Sequence, residues 1–89
     1  MNIFGIENCG KCLTAKTRAE AAALPYGERV DVVYHDQGTF EGRAEGAWYD
    51  VDDELPVMVI EDGNRSVARW EGRAPKTDEL SVALETVLS

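Results

Sequence analysis

The chain has 89 residues, 44% hydrophobic and 29% charged, with 17 acids against 9 bases and a formal charge of −8. These are the proportions of one soluble domain, residues 1–89, and they exclude a disordered chain, a collagen-like repeat and a disulfide-dense miniprotein. Scattered bases and a net negative charge argue against nucleic acid and anionic membrane as partners, and no apolar run nears the ~18–20 residues that span a bilayer.

Asn2 to Ile6 reads as a short buried strand. No basic n-region, long apolar h-region or small-residue cleavage site accompanies it, so the expected compartment is the cytoplasm. Cys9-Gly10-Lys11-Cys12 follows, and then a helix from about Lys11 to Leu24, rich in alanine, with Leu13, Thr17, Ala21 and Leu24 on one face. Pro25-Tyr26-Gly27 stops it, and Val30 to Tyr34 is a second, β-branched strand.

Between Asp36 and Asp53, Gly38, Gly42 and Gly46 each weaken a helix by about 1 kcal/mol relative to alanine. Phe40, Ala44, Ala47 and Trp48 nevertheless share a face, so a short helix ending near Tyr49 is expected, with Trp48 and Tyr49 packing it down. The acidic run Asp50, Asp52, Asp53, Glu54 reads as a solvated loop.

Pro56 to Ile60 and Ser66 to Trp70 are two more strands, joined across Glu61-Asp62-Gly63-Asn64-Arg65, whose Asp-Gly step signals a hairpin. Thr77 suits an N-cap, Asp78 and Glu79 suit the positive end of the dipole, and Leu80, Ala83, Leu84, Val87 and Leu88 form a helical stripe. The order βαβαββα makes the first two strands parallel and the last two antiparallel. The expected fold is α/β, a four-stranded mixed sheet with helices on both faces, its core including Phe4, Ile6, Val32, Val57 and Val59.

Cys9 and Cys12 are the only cysteines. Two thiols at this spacing can stay reduced, supply half a metal site, or cycle between dithiol and disulfide. Positions i and i+3 on a helical turn lie about 5–6 Å apart, near the Cα separation of a disulfide, which favours the third. Cys9 falls at the helix N-terminus, where free N–H groups and the dipole favour a thiolate; Lys11 adds to this and Glu7 opposes it. Cys12, one turn in, is more shielded, so Cys9 is read as the attacking thiol and Cys12 as the resolving one. A structural zinc needs about four ligands, and Cys9, Cys12 and His35 are too few, so a metal or cluster site would require a bridged dimer.

A C-x-x-C between a strand and a helix at the head of a βαβ pattern resembles the thioredoxin-like proteins, in their minimal glutaredoxin-type form. The likeness covers nearly the whole chain and rests on Cys9-Gly10-Lys11-Cys12, on Leu55-Pro56 opening the third strand and on Glu71-Gly72 closing the fourth. It implies a cis Pro56 beside the disulfide, with the Leu55 backbone holding an extended substrate chain. It also implies reduction of protein disulfides by a monomer, with no bound cofactor or metal beyond the redox-active disulfide and with electrons from an NADPH-linked flavoprotein thioredoxin reductase.

The sequence departs from the family in places. Asn8 stands where thioredoxins have tryptophan, and Ile3 where they have a buried aspartate, leaving water or Lys11 to serve Cys12 with a proton. Ile6-Glu7, Glu54-Leu55-Pro56 and Trp70-Glu71-Gly72-Arg73 lack the glutathione-binding pattern, Arg73 being one available cation, so glutathione is not the expected partner. Trp70 reads equally as a docking aromatic on the site rim and as a core residue; His35, Lys16 and Arg18 read as solvated. The competing functions are a redox-inactive peptide-binding module on the same scaffold and a cluster-bridged dimer.

Overall fold

In the computed structural model, which describes residues 1–52, 54–63 and 65–88, Asn2–Gly5 forms β1. Its alternation is the key to the architecture. Ile3 points into one core with Ala15, Ala19, Ala22, Met58, Ile60, Leu80 and Leu84. Phe4 points into a second, with Val57 and Val59, covered by Tyr49, Val51 and Leu55. A strand buried on both faces must lie inside the sheet, and the order is β2-β1-β3-β4. β2 (Val33–Asp36) runs parallel to β1, whereas β3 (Val57–Asp62) and β4 (Arg65–Glu71) continue it antiparallel. The α/β fold with a four-stranded mixed sheet and three helices is as expected.

α1 (Gly10–Ala23) lies on the Ile3 face, but not on the expected side chains. Its buried residues are Cys12, Ala15, Ala19, Ala22 and Ala23, while Leu13 is 65% exposed and Leu24 also faces out. The small side chains let the helix axis approach the sheet closely, so the alanines make the packing stripe and the leucines are left over. Arg18 is not simply solvated: its guanidinium donates to the carbonyls of Ala74 and Pro75 at 3.0 and 3.4 Å, tying α1 to the loop before the last helix.

A 3₁₀ segment, Leu24–Arg29, follows, with Gly27 at φ +55° supplying the turn. β2 begins three residues later than expected and runs past Tyr34, because β1 pairs residue for residue with Val33–Asp36. Val30 and Val32 are still partly buried against the core, as extended chain leading into the strand.

α2 (Phe40–Trp48) is capped by Thr39, whose hydroxyl accepts from the Gly42 amide at 3.0 Å. The expected face is inverted. Gly42 and Gly46 are its buried residues, while Phe40 and Trp48 are 80% and 82% exposed and Ala44 and Ala47 also face solvent. A Cβ on Gly42 would collide with the Asp36 carbonyl, and one on Gly46 with the Gln37 side chain. The glycines are thus a contact surface that bulkier residues would push away, and Gln37 Nε2 donates to the Gly42 carbonyl at 2.8 Å across it. Of the two aromatics expected to pack here, only Tyr49 does. Asp53, in the acidic run, and Asn64, in the hairpin loop, lie outside the described residues.

β3 and β4 are longer than expected, reaching a turn at Gly63, where φ is +65°. α3 (Thr77–Leu88) packs Leu80 and Leu84 into the Ile3 core, with Ala83 and Val87 beside them. Its cap lies one residue earlier than Thr77. The Lys76 carbonyl accepts from Leu80 N at 3.1 Å and the Lys76 amide donates to Glu79 at 2.8 Å, the carboxylate half of a capping box. Among the described residues no helix is long and apolar enough to cross a membrane.

Candidate functional site

The end of β1 and the start of α1 create the site. Ile6, expected in the core, is 42% exposed just beyond the strand. Asn8 then takes a left-handed conformation, φ +60°, which asparagine tolerates better than most side chains. That turn swings Cys9 into an extended N-cap position. A tryptophan at Asn8 would bear this conformation less easily.

Cys9 and Cys12 form a disulfide with their Cα atoms 5.2 Å apart. The two sulfurs sit in different surroundings. Cys9 is partly exposed and Cys12 fully buried, so an incoming group reaches Cys9 first. Cys9 Sγ also accepts from the Cys12 amide at 3.1 Å, and the Cys9 carbonyl accepts from Leu13 N at 3.1 Å. An N-terminal amide and the positive end of a 14-residue helix therefore both bear on the Cys9 sulfur.

A groove of about 500 Å³ opens beside Cys9, walled by Ile6, Glu7, Leu13, Lys16 and Tyr34. Lys16 stands with its ammonium 5.7 Å from the centre of the Tyr34 ring. The basic neighbour in the groove is therefore Lys16, a full turn beyond Cys12, while Lys11 is exposed and does not line it. On the other side of Ile6 lies a second groove, about 480 Å³, lined by Gln37, Arg43, Val51 and Leu55. Ile6 belongs to both, so the Cys9 surface and the Leu55 surface adjoin.

The Leu55–Pro56 bond is cis. Because Phe4 pairs with Val57, Pro56 falls opposite Gly5, the residue against which Cys12 packs. Pro56 is buried, and its carbonyl accepts from the Gly72 amide at 2.9 Å. Gly72 is at φ +75°, a conformation glycine allows, and so anchors the loop that carries Leu55. The structure thus brings Cys9, Cys12, Leu55, Pro56 and Gly72 to one end of the sheet. Trp70 is not among them: it is partly buried and packs against the Ile3 core, opposite Met58. Arg73 is engaged as well, with both terminal nitrogens on the Glu79 carboxylate at 2.9 and 2.7 Å, which holds that carboxyl down at about 2.

Tyr34 was not among the site residues read from sequence. The available signal was its place at the end of the second strand: a parallel pairing with β1 sets it beside Ile3, on the face α1 covers. His35, read as solvated, instead stacks on Phe4 at 4.7 Å and bonds Asn2 Oδ1 at 2.9 Å, on the opposite face. Among the described residues no three His, Cys, Asp or Glu side chains gather as a metal-ion site.

No protein-family model matches the chain, and no curated protein does. Among solved structures it is similar to one described as that of a malarial protein, at 17% identity and a TM-score of 0.81, covering 99% of this chain and 94% of that one. The likeness extends the α/β architecture to a second protein over essentially its whole length.

Proposed function

We propose that the chain is a thioredoxin-like thiol–disulfide oxidoreductase that reduces protein disulfides. The observation that carries this reading is the asymmetry of the pair: a partly exposed Cys9, its sulfur held on the Cys12 amide at 3.1 Å, beside a fully buried Cys12. In the reduced form the Cys9 thiolate attacks a substrate disulfide, joins one substrate sulfur and releases the other as a thiolate. The Cys12 thiol then gives up its proton and attacks Cys9 Sγ. The intramolecular disulfide forms and the second substrate sulfur leaves with the electron pair. Two electrons have passed to the substrate, and an NADPH-linked flavoprotein thioredoxin reductase would return them. The adjoining groove lined by Leu55 suits an extended substrate segment. The reaction needs no bound cofactor and suits a monomer in the reducing cytoplasm.

Variants of the two cysteines test the reading with an oxidised protein substrate. Cys12→Ser is expected to accumulate a mixed disulfide through Cys9, resolved by mass spectrometry, and Cys9→Ser to form none. Binding of the substrate that survives Cys9→Ala, with no mixed disulfide from Cys12→Ser, would favour a redox-inactive peptide-binding module instead.

A further inference from the structure

Resting on that reading, the chemistry leaves one group unprovided for. Each cycle makes Cys12 a thiolate inside the protein, where a charge is costly unless a donor meets it. Cys12 is fully buried, and the described residues include no buried polar or charged side chain. The core that begins at Ala15, three residues further along the same helix, is built of alanine, isoleucine, methionine and leucine.

The Tyr34 hydroxyl is a polar atom that comes close to Cys12. The space beside Gly5 that a Cβ would fill is bounded by the Tyr34 hydroxyl on one side and by Cys12 on the other, the Cys12 Cβ and Sγ standing 2.8 and 3.0 Å from that point. Gly5 is the residue that lets the hydroxyl and the sulfur share this space, since a side chain there would meet both. Tyr34 also lines the groove beside Cys9, so the residue that reaches the buried sulfur belongs to the wall of the open site.

We infer that the Tyr34 hydroxyl is the hydrogen-bond donor that stabilises the Cys12 thiolate during exchange. When an attacking thiolate bonds to Cys9 Sγ, the Cys9–Cys12 bond breaks and its electron pair leaves on Cys12 Sγ. The phenol O–H turns to this sulfur across the Gly5 gap, and the proton that finally neutralises it arrives from water in the groove. In the opposite direction the Cys12 thiol yields its proton to that water, and the thiolate held by Tyr34 attacks Cys9 Sγ. A donor in this role has to keep its own proton. Burial and the nearby Asp36 hold the Tyr34 phenol above its ordinary range. Lys16 on α1, over the ring, and Glu7 in the groove are the other charges facing it.

The test is the reaction of the reduced, full-length protein with an aromatic disulfide, dithiobis(nitrobenzoate), followed by stopped-flow absorbance. Cys9 attack releases the first thionitrobenzoate and Cys12 attack on the Cys9 mixed disulfide releases the second. In Tyr34→Phe the first release is expected at its wild-type rate and the second about tenfold slower, the loss of one hydrogen bond to a charged group. In a Cys9→Ser background, Tyr34→Phe should also lower the Cys12 ionisation constant about tenfold, read from thiolate absorbance against pH. A second release and a Cys12 ionisation both unchanged would overturn the inference, as would equal slowing of both releases. A wild-type protein releasing one equivalent only would instead overturn the dithiol reading, and the role of Tyr34 with it.

Discussion

The Cys12 amide nitrogen lies 3.1 Å from Cys9 Sγ, with Cys9 as the N-cap of α1. The acceptor that caps the helix is thus the sulfur that would attack a substrate. An N-terminal amide and the helix dipole stabilise the thiolate over the thiol, and Lys16 in the same groove adds to them against Glu7. In Cys12→Ser, which keeps the amide, the Cys9 thiol is expected to ionise below the ordinary thiol value of about 8.5. The pH dependence of alkylation by iodoacetamide measures this, and a midpoint at or above 8.5 would show that the cap does not activate the sulfur.

The glycine face of α2 makes an expectation opposite to helix propensity. Alanine is the better helix former by about 1 kcal/mol, yet a Cβ at position 42 meets the Asp36 carbonyl, part of the backbone of β2. Gly42→Ala is expected to destabilise the protein by ~1–3 kcal/mol in urea unfolding. Stabilisation would mean that this face of α2 does not sit on the sheet.

The exposed aromatic on the same helix gives the complementary case. Trp48 is 82% exposed, so Trp48→Ser is expected to change stability by no more than ~0.5 kcal/mol. Ala19, fully buried between α1 and the sheet, has no room for more atoms, and Ala19→Leu is expected to cost ~1–3 kcal/mol. Urea midpoints of the two variants check both values, and the reverse ranking would refute the packing described.

These two helices also mark where the sequence was legible and where it was not. Strand alternation and the turn signals were enough for β1, β3, β4 and the sheet's mixed topology, and the Leu80–Leu84 stripe was enough for α3. In α1 and α2 the buried face is built from alanine and glycine, while the larger apolar side chains point outward. A rule that seeks the largest hydrophobes selects the wrong side of such a helix, because close approach rather than side-chain volume fixes the contact. The cysteine pair and Pro56 were legible from local spacing and from the resemblance. Tyr34 was not, since it lies 22 residues from Cys12 in sequence and its role depends on the register of β2 against β1 and on the missing side chain of Gly5.

His35 gives the fold a pH dependence of definite sign. Burial against Phe4 holds the imidazole below its ordinary pKa, an effect that Glu45 opposes. The unfolded chain then takes up the proton at a higher pH, near 6.5, than the folded one. The stabilisation is complete above that value and is lost as pH falls through the lower, folded pKa. His35→Gln is expected to reduce the slope of unfolding free energy against pH between about 7 and 5. An unchanged slope would place the His35 ring in water.

The central claim is that Cys9 and Cys12 exchange two electrons as a pair. The most direct measurement is equilibration of the protein in dithiothreitol redox buffers, with the oxidised fraction read by alkylation and mass. A single two-electron transition near or below roughly −230 mV is expected for a protein-disulfide reductant. A pair that stays reduced in every buffer, with no Cys9–Cys12 disulfide, would contradict the account.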